Sequence, residues 1–179
     1  MEELRTLYFT ALKDVQWCQP ENFDFSCSRS RRWLLEQGSL SRMLAEQCQS
    51  LSVDLLTNQN MAASELTAQE SHKISDQSCW LREVILKGDD KAWVLGRTLI
   101  PESSLIDQQY DLSRQGDIPL GLTVFSAEDV RRDALEVGIA NTPNGELLAR
   151  RSRLWMNNKP MLVAELFLPD APIYIKEKA

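Results

Sequence analysis

Apolar and polar residues alternate most clearly from about Trp80 onward. Trp80-Leu81-Arg82-Glu83-Val84-Ile85-Leu86 and the run from Trp93 to Ile100 predict strands over Cys79 to Lys87 and Ala92 to Ile100. Gly88-Asp89-Asp90 lies between them and Pro101 ends the second, which is the spacing of a hairpin. A second hairpin is predicted from the basic stretch beginning Arg150-Arg151-Ser152-Arg153, the polar turn Asn157-Asn158, and the apolar run up to Pro169. Val130 to Ile139 is a further strand candidate despite its charges, followed by a loop over Asn141 to Gly145. Leu51, Val53 and Leu55 also alternate with polar neighbours. Ser28 to Gln37 reads as a helix ended by Gly38, and Ser39 can cap another carrying Leu40, Met43, Leu44 and Cys48. Asn58 to Gln77 is polar and predicts a loop with a short helix around Ala62 to Glu70. Ser103 or Ser104 can start a helix reaching about Arg114. Ile118-Pro119-Leu120-Gly121 is a turn-like lead-in to Val124 and Phe125. Residues 1 to 30 show mixed patterning, and the charged tail Lys176 to Ala179 reads as a frayed end. Consecutive strands with short turns and no βαβ rhythm predict an α+β fold, a single antiparallel β-sheet with surrounding helices.

At 179 residues the chain fits one domain, 1 to 179, with the first 32 residues unassigned. The net charge of −6 argues against a nucleic-acid partner. It also means that an anionic ligand gains nothing from the overall field and needs local arginines. No run of 18 apolar residues exists, so no membrane insertion is expected. The acidic start, with no signal-type apolar stretch after it, sets the expected location as cytoplasmic. Cys18, Cys27, Cys48 and Cys79 are scattered, without a C-x-x-C pair, and read as reduced structural thiols. The one histidine, His72, sits among loop-like residues and is a poor start for a Ser-His-Asp triad or a metal site. With no G-x-G-x-x-G after a strand, no P-loop and no acidic metal cluster, the pattern points to a pocket for a small anion without a cofactor.

Three charges stand alone on apolar strand faces. Met161, Val163, Glu165 and Phe167 share a face, as do Trp80, Arg82, Val84 and Leu86, and Trp93, Leu95, Arg97 and Leu99. If the hairpin closes suitably, Arg82 and Arg97 look to the same side. Burying an ion is costly unless it is paired. Two readings meet this requirement. In one, an arginine grips a substrate carboxylate and a desolvated Glu165 moves a proton. In the other, a buried Arg–Glu pair only ties strands together. The Arg150-Arg151-Ser152-Arg153 cluster is either an anion site or a solvated basic strand edge.

The ordered set Trp80-Leu81-Arg82-Glu83-Val84-Ile85-Leu86, Gly96-Arg97-Thr98, Ile118-Pro119-Leu120-Gly121, Arg150-Arg151-Ser152-Arg153-Leu154, Ala164-Glu165-Leu166-Phe167-Leu168-Pro169 and Pro172-Ile173-Tyr174 resembles the bacterial chorismate pyruvate-lyases. The resemblance is good from about Trp80 to Tyr174, weaker from Trp33 to Ser52, and slight before that. It implies a chorismate lyase-like sheet and the conversion of chorismate to 4-hydroxybenzoate and pyruvate, the step that opens ubiquinone biosynthesis. It also implies no cofactor and no metal, and the expected state is a monomer. By resemblance, Arg82 takes the ring carboxylate and Glu165 lies near the ring hydroxyl and the departing ether, as acid or as base. Leu120 and Leu40 line the pocket; Leu40 stands where a member of the family has methionine, a mild change if backbone or apolar surface makes the contact. Arg97 matches a second arginine serving a neighbouring ligand position. The helix of Leu40 is a candidate flap. The effector-binding domains of some bacterial transcription regulators are similar in fold and sense a ligand without turning it over. Residues 1 to 32 are too short and irregular for the helix-turn-helix that such regulators carry.

Overall fold

The protein is described from a computed structural model covering residues 2–106, 108, 111–127 and 129–175. The expected frayed tail, Lys176 to Ala179, lies outside the described residues. Six strands form one antiparallel sheet: β1 (Leu51–Met61), β2 (Cys79–Gly88), β3 (Lys91–Pro101), β4 (Val130–Thr142), β5 (Gly145–Met156) and β6 (Lys159–Phe167). Their order across the sheet is β1-β2-β3-β6-β5-β4. Among the described residues no helix is long and apolar enough to cross a membrane.

Turn chemistry explains the hairpins. Asp89 and Asp90 have φ of 48° and 68°, and Asn157 and Asn158 have 54° and 62°. Two successive positive-φ residues make the tight turn whose twist matches paired strands, and Asp and Asn tolerate that conformation. The predicted loop over Asn141 to Gly145 shrinks to two residues, because Thr142 pairs with Gly145.

Helices cover both faces. α1 (Glu2–Lys13) and α4 (Ala68–Ile74) lie on one; α2 (Ser28–Leu34), α3 (Leu40–Ala45) and α6 (Leu120–Val124) lie on the other. A short α5 (Glu102–Leu105) follows β3. Double coverage is why β3 is buried without a break from Trp93 to Pro101 instead of alternating. α1 is a correction to the mixed reading of residues 1 to 30. Its Tyr8, Ala11 and Leu12, with Val15 beyond it, pack on Ile85, Leu95, Ala164 and Leu166. The following segment pairs Cys18 with Val137 in both directions, at 2.9 and 3.0 Å, and so covers part of the β4 edge.

Two other expectations shift. The predicted loop from Asn58 contains the end of β1, and its helix forms later, at Ala68–Ile74, where Thr67 and Glu70 make a capping box. His72 is therefore an exposed residue on α4. Of the helix expected from Ser103 to Arg114, the described residues show only α5 and a 3-10 turn at Leu112–Arg114.

Candidate active site

The sheet face beneath α2, α3 and α6 carries the candidate site. Strand pairing places residues in two rows across it. One row runs Val84, Gly96, Glu165, Arg150; the next runs Arg82, Thr98, Val163, Ser152. A cavity above these rows is lined by Arg82, Gly96, Leu120, Arg132, Val163 and Glu165, with Leu40 at its roof. Gly96 contributes no side chain opposite Glu165, which leaves space beside the carboxylate.

Glu165 is 6% exposed and Arg150 is fully buried. Arg150 Nε donates to Glu165 Oε2 at 2.9 Å, and its Nη1 donates to the Glu36 carbonyl at 2.9 Å. The two residues face each other on adjacent strands, so the sheet itself sets their geometry. This overturns the solvated-edge reading of the basic cluster, since β5 is interior, between β6 and β4. Arg151 and Arg153 point to the opposite face, where Arg151 pairs with Glu136 at 2.9 Å and Arg153 with Asp133 at 2.8 Å.

Arg82 is 1% exposed and has no ion-pair partner among the described residues. Its Nη1 and Nη2 donate to the carbonyls of Gly116 and Ile118 at 2.7 and 2.9 Å. Burial pushes its guanidinium down to about 10, against the opposing field of Asp117, and so it stays charged at neutral pH. Those two bonds tie the loop before α6 over the cavity.

Arg97 does not share this face. A single bulge decides the matter. Near the turn, Lys87 pairs with Ala92, but the next pair is Leu86 with Val94, so Trp93 is an extra residue on β3. Without it Arg82 would sit opposite Arg97; with it Arg82 pairs with Thr98 and Glu83 with Arg97. Arg97 instead makes an ion pair with Glu70 on α4. The cavity there is the larger of the two, 360 against 60 Å³. Its two arginines are already neutralised by Glu70 and Glu136, however, and so it offers an anion little. Uncompensated positive charge lies on the Arg82 face.

Leu40 and Leu120 are the first residues of α3 and α6. Their amides have no acceptor within their own helices, as at every helix start. The two helices meet closely: a Cβ on Gly121 would lie 3.0 Å from the hydroxyls of Ser39 and Ser41.

Residues 11–179 match the sequence profile of the family described as chorismate lyase. The chain belongs to the chorismate lyase family. It is 60% identical over 177 residues to a Vibrio vulnificus (strain YJ016) protein named "Probable chorismate pyruvate-lyase", covering 99% of each chain. It is 36% identical over 165 residues to the chorismate pyruvate-lyase of Yersinia enterocolitica, covering 91% of this chain and 94% of that one. Among solved structures, the ligand-binding domain of a GntR-family transcriptional regulator from Bordetella bronchiseptica superposes with a TM-score of 0.51 at 17% identity, over 73% of this chain and 90% of that one. That likeness is one of fold.

Two residues of this candidate site do not stand out individually in the sequence. Arg150 was hidden inside a basic run, although its place on the face of Ser152 and Leu154 follows from alternation. Arg132 lies just before a bulge between Asp133 and Glu136, where Ala134 has φ of 51°. No period-two argument survives such a break.

Proposed function

We propose that this protein is a chorismate pyruvate-lyase, eliminating pyruvate from chorismate to give 4-hydroxybenzoate, the first committed step of ubiquinone biosynthesis. Membership of the family supports the reaction. The observation that carries the site is the placing of Arg82 and the Arg150-paired Glu165 on one buried face. Arg82 has three N–H donors beyond the two bonded to loop carbonyls, enough to take the ring carboxylate. Leu40 and Leu120 close over the ring, and Arg97 makes no contact with it.

The reaction needs orientation, desolvation and a proton acceptor. The C4–H bond breaks and its electrons form the last ring double bond. The C3–O bond breaks and its electrons leave with enolpyruvate, whose methylene takes up a proton to give pyruvate. Arg150 supplies the countercharge that lets Glu165 be buried as a carboxylate. Such a group accepts the C4 proton and then returns it to the departing enolpyruvate. Aromatisation drives the step, and the atoms balance without a metal or redox partner.

The test is incubation with chorismate while pyruvate and 4-hydroxybenzoate are followed together. Equimolar appearance of both, lost in Arg82→Ala, is expected. Absence of turnover with tight binding of 4-hydroxybenzoate would make the protein a ligand-sensing relative.

A further inference from the structure

The reaction proposed above consumes a dianion and releases an aromatic product with one carboxylate. The ring carboxylate goes to Arg82, which leaves the enolpyruvyl carboxylate to be held. The charges on the cavity face are Arg82, Arg132 and Arg150 against Glu165. Arg150 and Glu165 cancel, so two arginines remain for two carboxylates.

Arg132 reaches the cavity from β4, the far edge of the sheet. Its side chain lies over the neighbouring β5 and donates to the Ser152 hydroxyl. Ser152 ends the same row that Arg82 begins, with Thr98 and Val163 between. Three interstrand spacings, about 14 Å, separate the backbones at the ends of that row. Arg82 at one end of that row and Arg132, bonded to Ser152 at the other, both line the cavity, an arrangement suited to a small ring bearing two carboxylates. Glu165 lies two residues along β6 from Val163, beside that row.

The bonds that Arg132 now makes all go to neutral acceptors. Nε donates to the Gln37 carbonyl at 3.2 Å and Nη2 to the Gly38 carbonyl at 3.0 Å. The Phe125 ring lies 5.6 Å from the guanidinium carbon. Three of five N–H donors are engaged, which leaves one free on each Nη. Glu36 and Glu165 are the acids whose fields it feels, yet it forms an ion pair with neither among the described residues.

We infer that Arg132 is the substrate-specific anchor, holding the enolpyruvyl carboxylate of chorismate while Arg82 holds the ring carboxylate. The assignment rests on the chorismate lyase reading. It makes Arg132 a residue that distinguishes substrate from product: 4-hydroxybenzoate has nothing for it to grip. Loss of the contact when pyruvate departs also frees Arg132 for the carbonyls of the α2–α3 turn.

The experiment compares two unreactive ligands by calorimetry. One is 4-hydroxybenzoate; the other is 3-(1-carboxyvinyloxy)-4-hydroxybenzoate, an aromatic mimic that keeps both carboxylates. In Arg132→Gln the dicarboxylate should lose roughly 10²-fold or more in affinity, as expected for truncating one partner of a buried charge pair. The monocarboxylate should change by less than about 3-fold. Arg132→Lys keeps the charge without the fork, folds with less disturbance, and should fall between on the dicarboxylate only. Equal losses for both ligands would reduce Arg132 to a latch on the α2–α3 turn and overturn the assignment, as would no loss for either. Wild-type turnover of chorismate, measured separately, tests the underlying reaction.

Discussion

Removing Arg150 isolates what the buried pair contributes. In Arg150→Met the long apolar stem is largely replaced and the charge is lost. Glu165, with its side chain 8% exposed, then has no countercharge in contact at Oε2. The carbonyl of Glu36, bonded at 2.9 Å, also loses its donor. Breaking a buried pair from one side costs about 3–5 kcal/mol. For a chain of this length each kcal/mol moves the thermal midpoint by about 2–4 °C, so a fall of roughly 6–20 °C is expected. A domain of ordinary stability, about 5–15 kcal/mol, remains folded after that loss. Urea titration followed by tryptophan fluorescence should show a lower midpoint at an unchanged slope. Trp33, 3% exposed, packs in the core beside the pair and serves as a reporter. The double variant Arg150→Met/Glu165→Leu removes both charges, and apolar replacement of a buried pair is about neutral or stabilising. It should regain most of the lost stability while remaining inactive. A single variant costing under about 1 kcal/mol, or a double variant no more stable than the single, would refute the reasoning.

Glu165→Gln should lower turnover by about 10²–10⁴-fold, the usual contribution of a positioned proton acceptor; a variant with full activity would exclude both acid and base roles for this residue. Gly88→Ala should destabilise by about 1–3 kcal/mol, because its Cβ would fall inside the Trp93 ring that forms the bulge; an unchanged urea midpoint would contradict this. At Glu70 burial acts to raise the carboxyl, but the Thr67 amide, the Arg97 charge and the Thr67 hydroxyl outweigh it, so the group is held below its ordinary value of 4.5. A depressed carboxyl contributes stability that is present above the unfolded value and lost as pH falls through the folded one. Glu70→Gln should therefore be less stable than wild type near neutrality, with the difference shrinking below about pH 4.5; a pH-independent difference in urea midpoint would count against it.

Much of this architecture is legible in the sequence. The hairpins follow from Asp89-Asp90 and Asn157-Asn158, and the lone charges Arg82 and Glu165 stand out because alternation assigns them to apolar faces. What fails is register. The extra residue at Trp93 flips Arg97 to the other side, and sequence periodicity carries no record of a one-residue bulge except the permissive Gly88 across from it. The break after Arg132 hides that arginine for the same reason. α1 was legible in principle, since Leu4, Tyr8, Ala11 and Leu12 recur at helical spacing, but intervening Phe9 and Leu7 blur its stripe.

The chemistry is assigned to one face of a sheet that has a cavity on each. A crystal structure with 4-hydroxybenzoate bound decides between them. The ring carboxylate is predicted at Arg82, with the hydroxyl towards Glu165 and Leu40 and Leu120 closing over the ring. Density in the larger cavity beside Arg97 and Arg151, with the Arg82 face unchanged, would contradict the account.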